Sequence, residues 1–364
     1  MPRERDTAAL HAQELIEIVR SLGFARVGVC DASPNEHADQ LRDWLDQGRH
    51  GSMAYLERNH DIRTHPARLL QGARAFLVVA DQYATRNDPP DPDTGANPNA
   101  PRGRVARYAR GRDYHKVIKK RLHQLCDRAL ERFPTESFRA FVDTAPVPER
   151  ELARRAAIGW TGKHTLTIHP RLGSFFLLGG VATTLELRPP QTQKPVTDHC
   201  GACARCIDAC PTDAITPYSV DASRCVSYLT IERREPIDPA FFIPIGDWIF
   251  GCDICQEVCP HNSPRPPRRG VGRPHEAYAP ERDGFDLLEV LGWTEEDRRD
   301  AFRASALKRA TLPMMKRNAL IALGNALRRR PDPQLRARVE SIASDDAQNP
   351  LVRQTASDVL ASLP

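Results

Sequence analysis

Eight of the ten cysteines fall between Cys200 and Cys259, and the first four read Cys200-x2-Cys203-x2-Cys206-x3-Cys210-Pro211. That spacing holds cubane iron-sulfur clusters, and in such a run the fourth cysteine is aimed at a different cluster from the first three. A second group of ligands must therefore exist, and Cys252-x2-Cys255-x3-Cys259-Pro260 supplies it. A symmetric second run would begin with a cysteine three residues before Cys252, but Ile249 stands there. Cys225 is the remaining thiol nearby. The expected ligand sets are Cys200, Cys203, Cys206 and Cys259 for one 4Fe-4S cluster, and Cys210, Cys225, Cys252 and Cys255 for the other. The crossover stitches the two halves of the segment together.

Two blander readings compete. Paired Cys-x2-Cys motifs also suit tetrahedral zinc, which would make two structural sites of four thiolates each. Four closely spaced cysteines ending in Cys-Pro, nearly repeated, favour iron over zinc. Disulfides are the weaker alternative, because the first residues, Met-Pro-Arg-Glu-Arg-Asp, lack the apolar core of an export signal and thiols stay reduced in cytoplasm. A cytoplasmic location is thus expected. Cys30 and Cys126 stand alone in apolar surroundings and read as small core residues.

At 364 residues the chain is long for one domain, and 40% apolar residues suffice for real cores. Its longest apolar stretch, 175–185, is broken by Gly179, Gly180, Thr183 and Thr184 and falls short of the roughly 20 residues that span a bilayer. No membrane is expected. The formal charge of +5 is unevenly spread: residues 263–330 hold fifteen Lys or Arg against nine Asp or Glu, which points to a polyanionic partner.

Periodicity places an amphipathic helix over 7–22, capped by Gly23, and a buried strand over 24–30. A second buried strand covers 75–80, and 84–103, rich in Pro, Asn, Asp and Gly, reads as a long surface loop. A helix over 113–133, a strand over 138–142 ending at Asp143, a helix over 148–157 and strands near 164–169 and 175–185 complete an α/β domain over 1–197. The ferredoxin-like module occupies 198–262, a Pro- and Arg-rich linker 263–284, and a helical domain 285–364. In the tail, Lys316-x2-Ala319-x3-Leu323 recurs as Arg353-x2-Ala356-x3-Leu360, a period of 37 that approaches HEAT-like repeats; a generic helical bundle explains so short a match equally well.

No Gly-x-Gly-x-x-Gly follows a strand, and Gly159-Trp160-Thr161-Gly162-Lys163-His164 fails as a phosphate loop, since His164 replaces the needed hydroxyl. Six segments in order are more informative. They are Arg107-Tyr108-Ala109-Arg110-Gly111-Arg112-Asp113-Tyr114-His115; Phe141-Val142-Asp143-Thr144-Ala145-Pro146; Gly159 to Thr165; His169-Pro170-Arg171-Leu172-Gly173-Ser174; Cys225-Val226-Ser227-Tyr228-Leu229-Thr230-Ile231-Glu232; and Gly251 to Pro260. From about residue 10 to the C-terminal helices, the chain resembles the epoxyqueuosine reductase family.

That resemblance implies a cobalamin beside two 4Fe-4S clusters, and reduction of epoxyqueuosine to queuosine at the wobble position of tRNA. It implies an N-terminal cobalamin-binding α/β domain akin to that of reductive dehalogenases, and a HEAT-like tail that grips tRNA. The corrin would be base-off: Asp113-Tyr114-His115 lacks the glycine of the cobalt-ligating motif, Ile118 standing in its place, so the cobalt stays open for reduction to Co(I). Asp143 takes the family's position of proton donor, and burial in an enclosed cavity is expected to raise its pKa so that it keeps a proton near neutrality. By itself, an Asp before Thr is more often a turn or cap residue. Arg63 and Lys163 would contact the corrin or its tail, while Val226, Ser227, Cys252 and Asp253 line its cobalt side. The cluster on Cys210, Cys225, Cys252 and Cys255 is then proximal, and the other receives electrons from an external low-potential donor. Arg233, Arg234, Lys316, Arg317 and Asn318 are candidates for tRNA phosphate contacts. A monomer is expected.

Rival functions remain open on sequence alone. They are an iron-sulfur electron-transfer adapter that would bind no corrin, a zinc-stapled RNA-binding scaffold that would contain no iron, and a cobalamin-dependent reductase of a small molecule.

Overall fold

The computed structural model describes residues 2–88, 101–264 and 273–364. Its first layer is a helix, α1 (Pro2–Ser21), whose apolar stripe of Ala12, Leu15 and Val19 is fully buried. The chain then enters a four-stranded antiparallel sheet built from β1 (Arg26–Asp31), β2 (Ala75–Gln82), β4 (Phe138–Phe141) and β5 (Phe176–Thr183), in the order β1-β2-β5-β4. Every residue of β2 is buried, because both sheet faces are covered. Leu77 and Val79 face α1 and α2 (Tyr114–Arg132), while Phe76, Val78 and Ala80 face α3 (Glu149–Arg155) through Leu152 and Ala153. The mixed helix-and-sheet class expected of this part is therefore realised as a three-layer antiparallel unit. The expected strand over 164–169 shrinks to a two-residue ladder, Thr167–Ile168 pairing with Trp160–Thr161.

A second sheet joins segments far apart in sequence. Its centre is β3 (Arg102–Val105), paired in parallel with β6 (Trp248–Phe250) and antiparallel with β7 (Gly284–Asp286). One strand thus comes from each of the three stretches that sequence reasoning treats as separate domains. The largest core runs beneath this sheet, from Val105 through α4 (Val226–Ile231) and Trp248 to the C-terminal helices. Of the expected loop over 84–103, residues 89–100 lie outside the described residues; its start, Ala84, is buried, and its end is strand β3.

The linker expected over 263–284 includes 265–272, outside the described residues. The remainder is not a free connector. Tyr278 is buried and its hydroxyl donates to Asp81, which also pairs with Arg121 on α2. The backbone amides of Arg112 and Glu281 donate to Ala277 (2.9 Å) and Arg110 (3.0 Å), respectively. Its far end is therefore part of the packed body.

Three helices close the chain: α5 (Leu312–Arg329), α6 (Pro333–Ser344) and α7 (Pro350–Ala361), each opened by a side-chain cap, Thr311, Asp332 or Asn349, with proline in the first turn. Helix α7 packs on both α5 and α6. Ala319 and Ala356, the matched small residues of the 37-residue period, are both fully buried. Among the described residues no helix is long and apolar enough to cross a membrane.

Candidate active site

All eight cysteines of the dense segment are free thiols in the polypeptide. Burial pushes the Cys206 thiol up, and the charges of Cys259, Cys200 and Cys203 add to the effect. Cys259 in turn feels Cys200 and Cys203. Cys252 is raised by burial and then by Cys225 and Cys210, and Cys255 by burial and then by Cys252 and Cys225. These influences link thiols of the first run with thiols of the second, and Cys255 also feels Cys206. Among the described residues no three His, Cys, Asp or Glu side chains stand together as a metal-ion site.

Polar groups are aimed at these sulfurs. The Trp160 indole donates to Cys200 Sγ at 3.5 Å, the Ala214 amide to Cys210 Sγ at 3.4 Å, and the Ser227 and Tyr228 amides at the start of α4 to Cys225. Hydrogen bonds of this kind tune cluster potentials. Two motif glycines owe their identity to close approach. Gly173 (φ 75°) lies where a Cβ would come within 1.9 Å of Asn262 Oδ1, and Gly251 (φ 72°) brings the chain against Ala106 immediately before Cys252.

Asp143 ends the segment after β4 with φ 43°, in the left-handed region that costs a non-glycine residue about 1–3 kcal/mol. Its Oδ2 lies 2.8 Å from His115 Nε2, and His115 Nδ1 lies 2.8 Å from Asp113 Oδ1, so one imidazole bridges two carboxylates. Asp113 is positioned by its role as the cap of α2, where it accepts the His115 amide at 3.1 Å. Burial opposes charge on His115, but the bonds from Asp113 and Asp143 outweigh it and raise its pKa to about 9. For Asp143, burial acts upward, whereas the hydrogen bond and charge of His115, with a bond from Tyr114, bring the net shift below the ordinary carboxylate value.

This corrects one expectation. The Asp143 side chain is 53% exposed, and at neutral pH it is the anion of an ion pair, with the proton one bond away on His115. Next to it, Glu149 is raised to about 8, first by burial and then by the Asp143 charge. Glu149 Oε1 accepts the Asp143 backbone N–H at 2.5 Å. Sequence reasoning passed over Glu149, and gave His115 no role beyond a motif that fails and the end of a family-like segment; the clue was the position of both inside those segments or just beside them.

The surroundings of Asp143 come from distant segments. Tyr108 is half-buried and feels both Asp143 and Asp253, and its ring packs edge-on against Tyr114 at 5.9 Å. Arg309, also unanticipated, grips Glu232 with two bonds of 2.9 and 2.6 Å and lies 5.7 Å over the Tyr55 ring. Arg63 interacts with Tyr55, Glu149 and Asp143, and its Nε is buried without a hydrogen-bond partner. Val226 is buried, Ser227 and Cys252 are half-buried, and Asp253 accepts the Arg107 amide at 2.7 Å. Burial raises the Asp253 pKa to about 6.

Two expected phosphate contacts are replaced, and Lys163 has protein partners. Lys163 directs its ammonium to the carbonyls of Gly201 (2.7 Å) and Cys203 (3.0 Å), clamping the turn between the first cysteines. Arg317 and Asn318 are 0% exposed. Arg317 donates to the carbonyls of Leu229, Arg233 and Glu235, and Asn318 to those of Thr230 and Ile249. Both side chains hold the end of α4 and are closed to phosphate. Arg234 is exposed, and Arg233 and Lys316 are partly exposed.

Residues 199–262 match the family described as 4Fe-4S double cluster binding domain, and residues 63–144 the one described as Epoxyqueuosine reductase QueG, DUF1730. The epoxyqueuosine reductase of Pseudomonas aeruginosa is 39% identical over 317 residues, covering 86% of this chain and 85% of its own length. The chain belongs to the epoxyqueuosine reductase family. A crystal structure of an epoxyqueuosine reductase with an epoxyqueuosine-modified tRNA-Tyr stem loop superposes with a TM-score of 0.81 at 26% identity, over 95% of this chain and 89% of that one. The reductase of Bacillus subtilis, solved with its catalytic aspartate loop swung out of the active site, gives a TM-score of 0.79 at 26% identity, over 95% of this chain and 90% of that one. Membership in the epoxyqueuosine reductase family gives the Asp143 turn its chemical context.

Proposed function

We propose that this reductase converts epoxyqueuosine to queuosine at the wobble position of tRNA, with Asp143 as the group that delivers the proton. Two electrons and two protons turn the epoxide into the alkene and water. The observation that carries the reading is the convergence of Asp143, His115, Arg63 and Arg309, from four separate segments, on one site joined to Cys252 through Tyr108 and Asp253. The two cysteine quartets are read as the ligands of two 4Fe-4S clusters. The buried, partnerless Nε of Arg63 fits a cofactor that brings acceptor groups, as a corrin does. Arg63, Val226, Ser227 and Cys252 would hold a base-off cobalamin there. When bound, the corrin and clusters supply the low-potential electron chemistry that opens the C–O bond.

The chain's own part is proton management and positioning. His115 keeps a proton within one hydrogen bond of Asp143, so the aspartate can take it up as negative charge develops on the epoxide oxygen and pass it on. The wobble nucleotide must leave the anticodon stack to reach such a site. Arg233, Arg234 and Lys316 are read as the phosphate contacts. Helices α5 to α7 are read as a HEAT-like unit, supported by the shared burial of Ala319 and Ala356.

The test is anaerobic turnover of epoxyqueuosine-containing tRNA with cobalamin and a low-potential reductant, comparing the native chain with Asp143→Ala. Turnover should fall by about 10²–10⁴-fold, the usual contribution of a positioned proton donor. Equal rates would remove Asp143 from this role, and a protein that takes up no corrin would leave the electron-transfer adapter standing.

A further inference from the structure

Asp143 sits at the neck of a short loop. The chain leaves β4 at Phe141, buries Val142, turns at Asp143 through a left-handed residue, and re-enters regular structure at Glu149, the first residue of α3. Within the loop the amides of Val147 and Glu149 donate to Ala145 (2.9 Å) and Val147 (3.0 Å). One bond ties its two ends together: Asp143 N–H to Glu149 Oε1, at 2.5 Å. On the helix side, Leu152 and Ala153 are fully buried against the sheet, so Glu149 projects from an anchored element. The Asp143 carboxylate is held from the opposite side by His115. A strained residue persists where its surroundings over-determine it, and here the over-determination comes from two side chains, one on the carboxylate and one on the amide.

We propose that Glu149 is a positioning residue, the latch that holds the Asp143 turn in its inward place. The proposal rests on the reading of Asp143 above. It also accounts for a loop with two positions: in the B. subtilis relative the catalytic aspartate loop has been found swung out, and a turn closed by one side-chain acceptor opens when that acceptor lets go. A carboxylate is not required, only an oxygen at that reach. The groups facing Glu149 are Asp143, Arg63 and Arg150, with Tyr114 behind Asp143.

The experiment compares Glu149→Ala, Glu149→Asp and Glu149→Gln in the full chain, reading the hydrogen-deuterium exchange of the Asp143 amide and the kinetics of RNA turnover. Ala removes the acceptor and Asp shortens it by one methylene while keeping the carboxyl group. Both should unprotect the amide and lower kcat on the order of tenfold to a hundredfold, as small displacements of reacting groups do, with KM for the RNA little changed. Gln keeps an oxygen at the same reach and should retain both protection and turnover. Unchanged exchange in the Ala and Asp variants would overturn the latch, and so would a Gln variant as impaired as they are. Exchange that rises while kcat holds would also overturn it, by showing a bond without a catalytic role. Should the Ala variant fail to fold, the Asp and Gln pair decides alone. Because exchange is read without substrate, an error in the assigned reaction would leave this measurement intact.

Discussion

His115 holds its proton because it lies between two carboxylates, 2.8 Å from each. Its pKa rises from 6.5 to about 9, so the stability it contributes is fully present below pH 6.5 and is lost as pH climbs through about 9. The corrin-free protein should therefore melt at falling temperature across that window, and His115→Gln should flatten the slope. An unchanged slope in thermal melts of the variant would assign the loss to other groups. The expectation of a protonated, sequestered Asp143 failed for a physical reason: burial alone raises a carboxyl pKa, but a neighbouring cation can reverse the sign, and His115 was legible in the sequence only as a letter in a broken motif.

At the scale of elements, the N-terminal half of α5 shows why basic letters do not locate an RNA surface. Lys316, Arg317 and Asn318 are consecutive, yet helical geometry turns Arg317 and Asn318 into the core beneath α4 and leaves Lys316 partly exposed. Arg317→Leu strands one buried and two partly buried carbonyls and should cost about 2–3 kcal/mol in denaturant unfolding, with RNA affinity of the folded protein unchanged. Arg234→Ala should do the opposite, leaving stability within about 0.5 kcal/mol and lowering the slope of log affinity against log salt by about 1. If Arg317→Leu kept full stability, its hydrogen bonds would not have the role given to them. By contrast, α1, α2 and β2 could be drawn from periodicity alone, since each is set by a local apolar pattern that its neighbours merely confirm.

For the whole molecule the proposed cysteine crossover matters most, since each quartet would take ligands from both runs. The Cys206 thiol feels the Cys259 charge although the two lie in different runs, and the proposed crossover puts both on one cluster. The double variant Cys206→Ser with Cys259→Ser should therefore lose one cluster and keep about four iron atoms per chain of about eight. A pairing of consecutive cysteines predicts damage to both clusters, which iron analysis and electron paramagnetic resonance of the reduced protein would reveal. The second sheet reinforces the same long-range closure, because β3, β6 and β7 bring together Arg104, Trp248 and Gly284.

Ligand spacing by itself pointed to a double-cluster module, which the match of residues 199–262 to a 4Fe-4S double cluster binding domain bears out, and to two crossed groups of thiols as its ligands, because a short chain between cysteines limits which of them can meet. Local hydrophobic periods likewise settled most helices and strands around Asp143. The tertiary structure alone decided the ionisation of Asp143, the burial of Arg317, the clamp made by Lys163 and the latch offered by Glu149. Each of those depends on which group packs opposite, and packing partners such as Leu229 and Arg317, or Tyr278 and Asp81, are brought together only when distant segments bury their surfaces against one another.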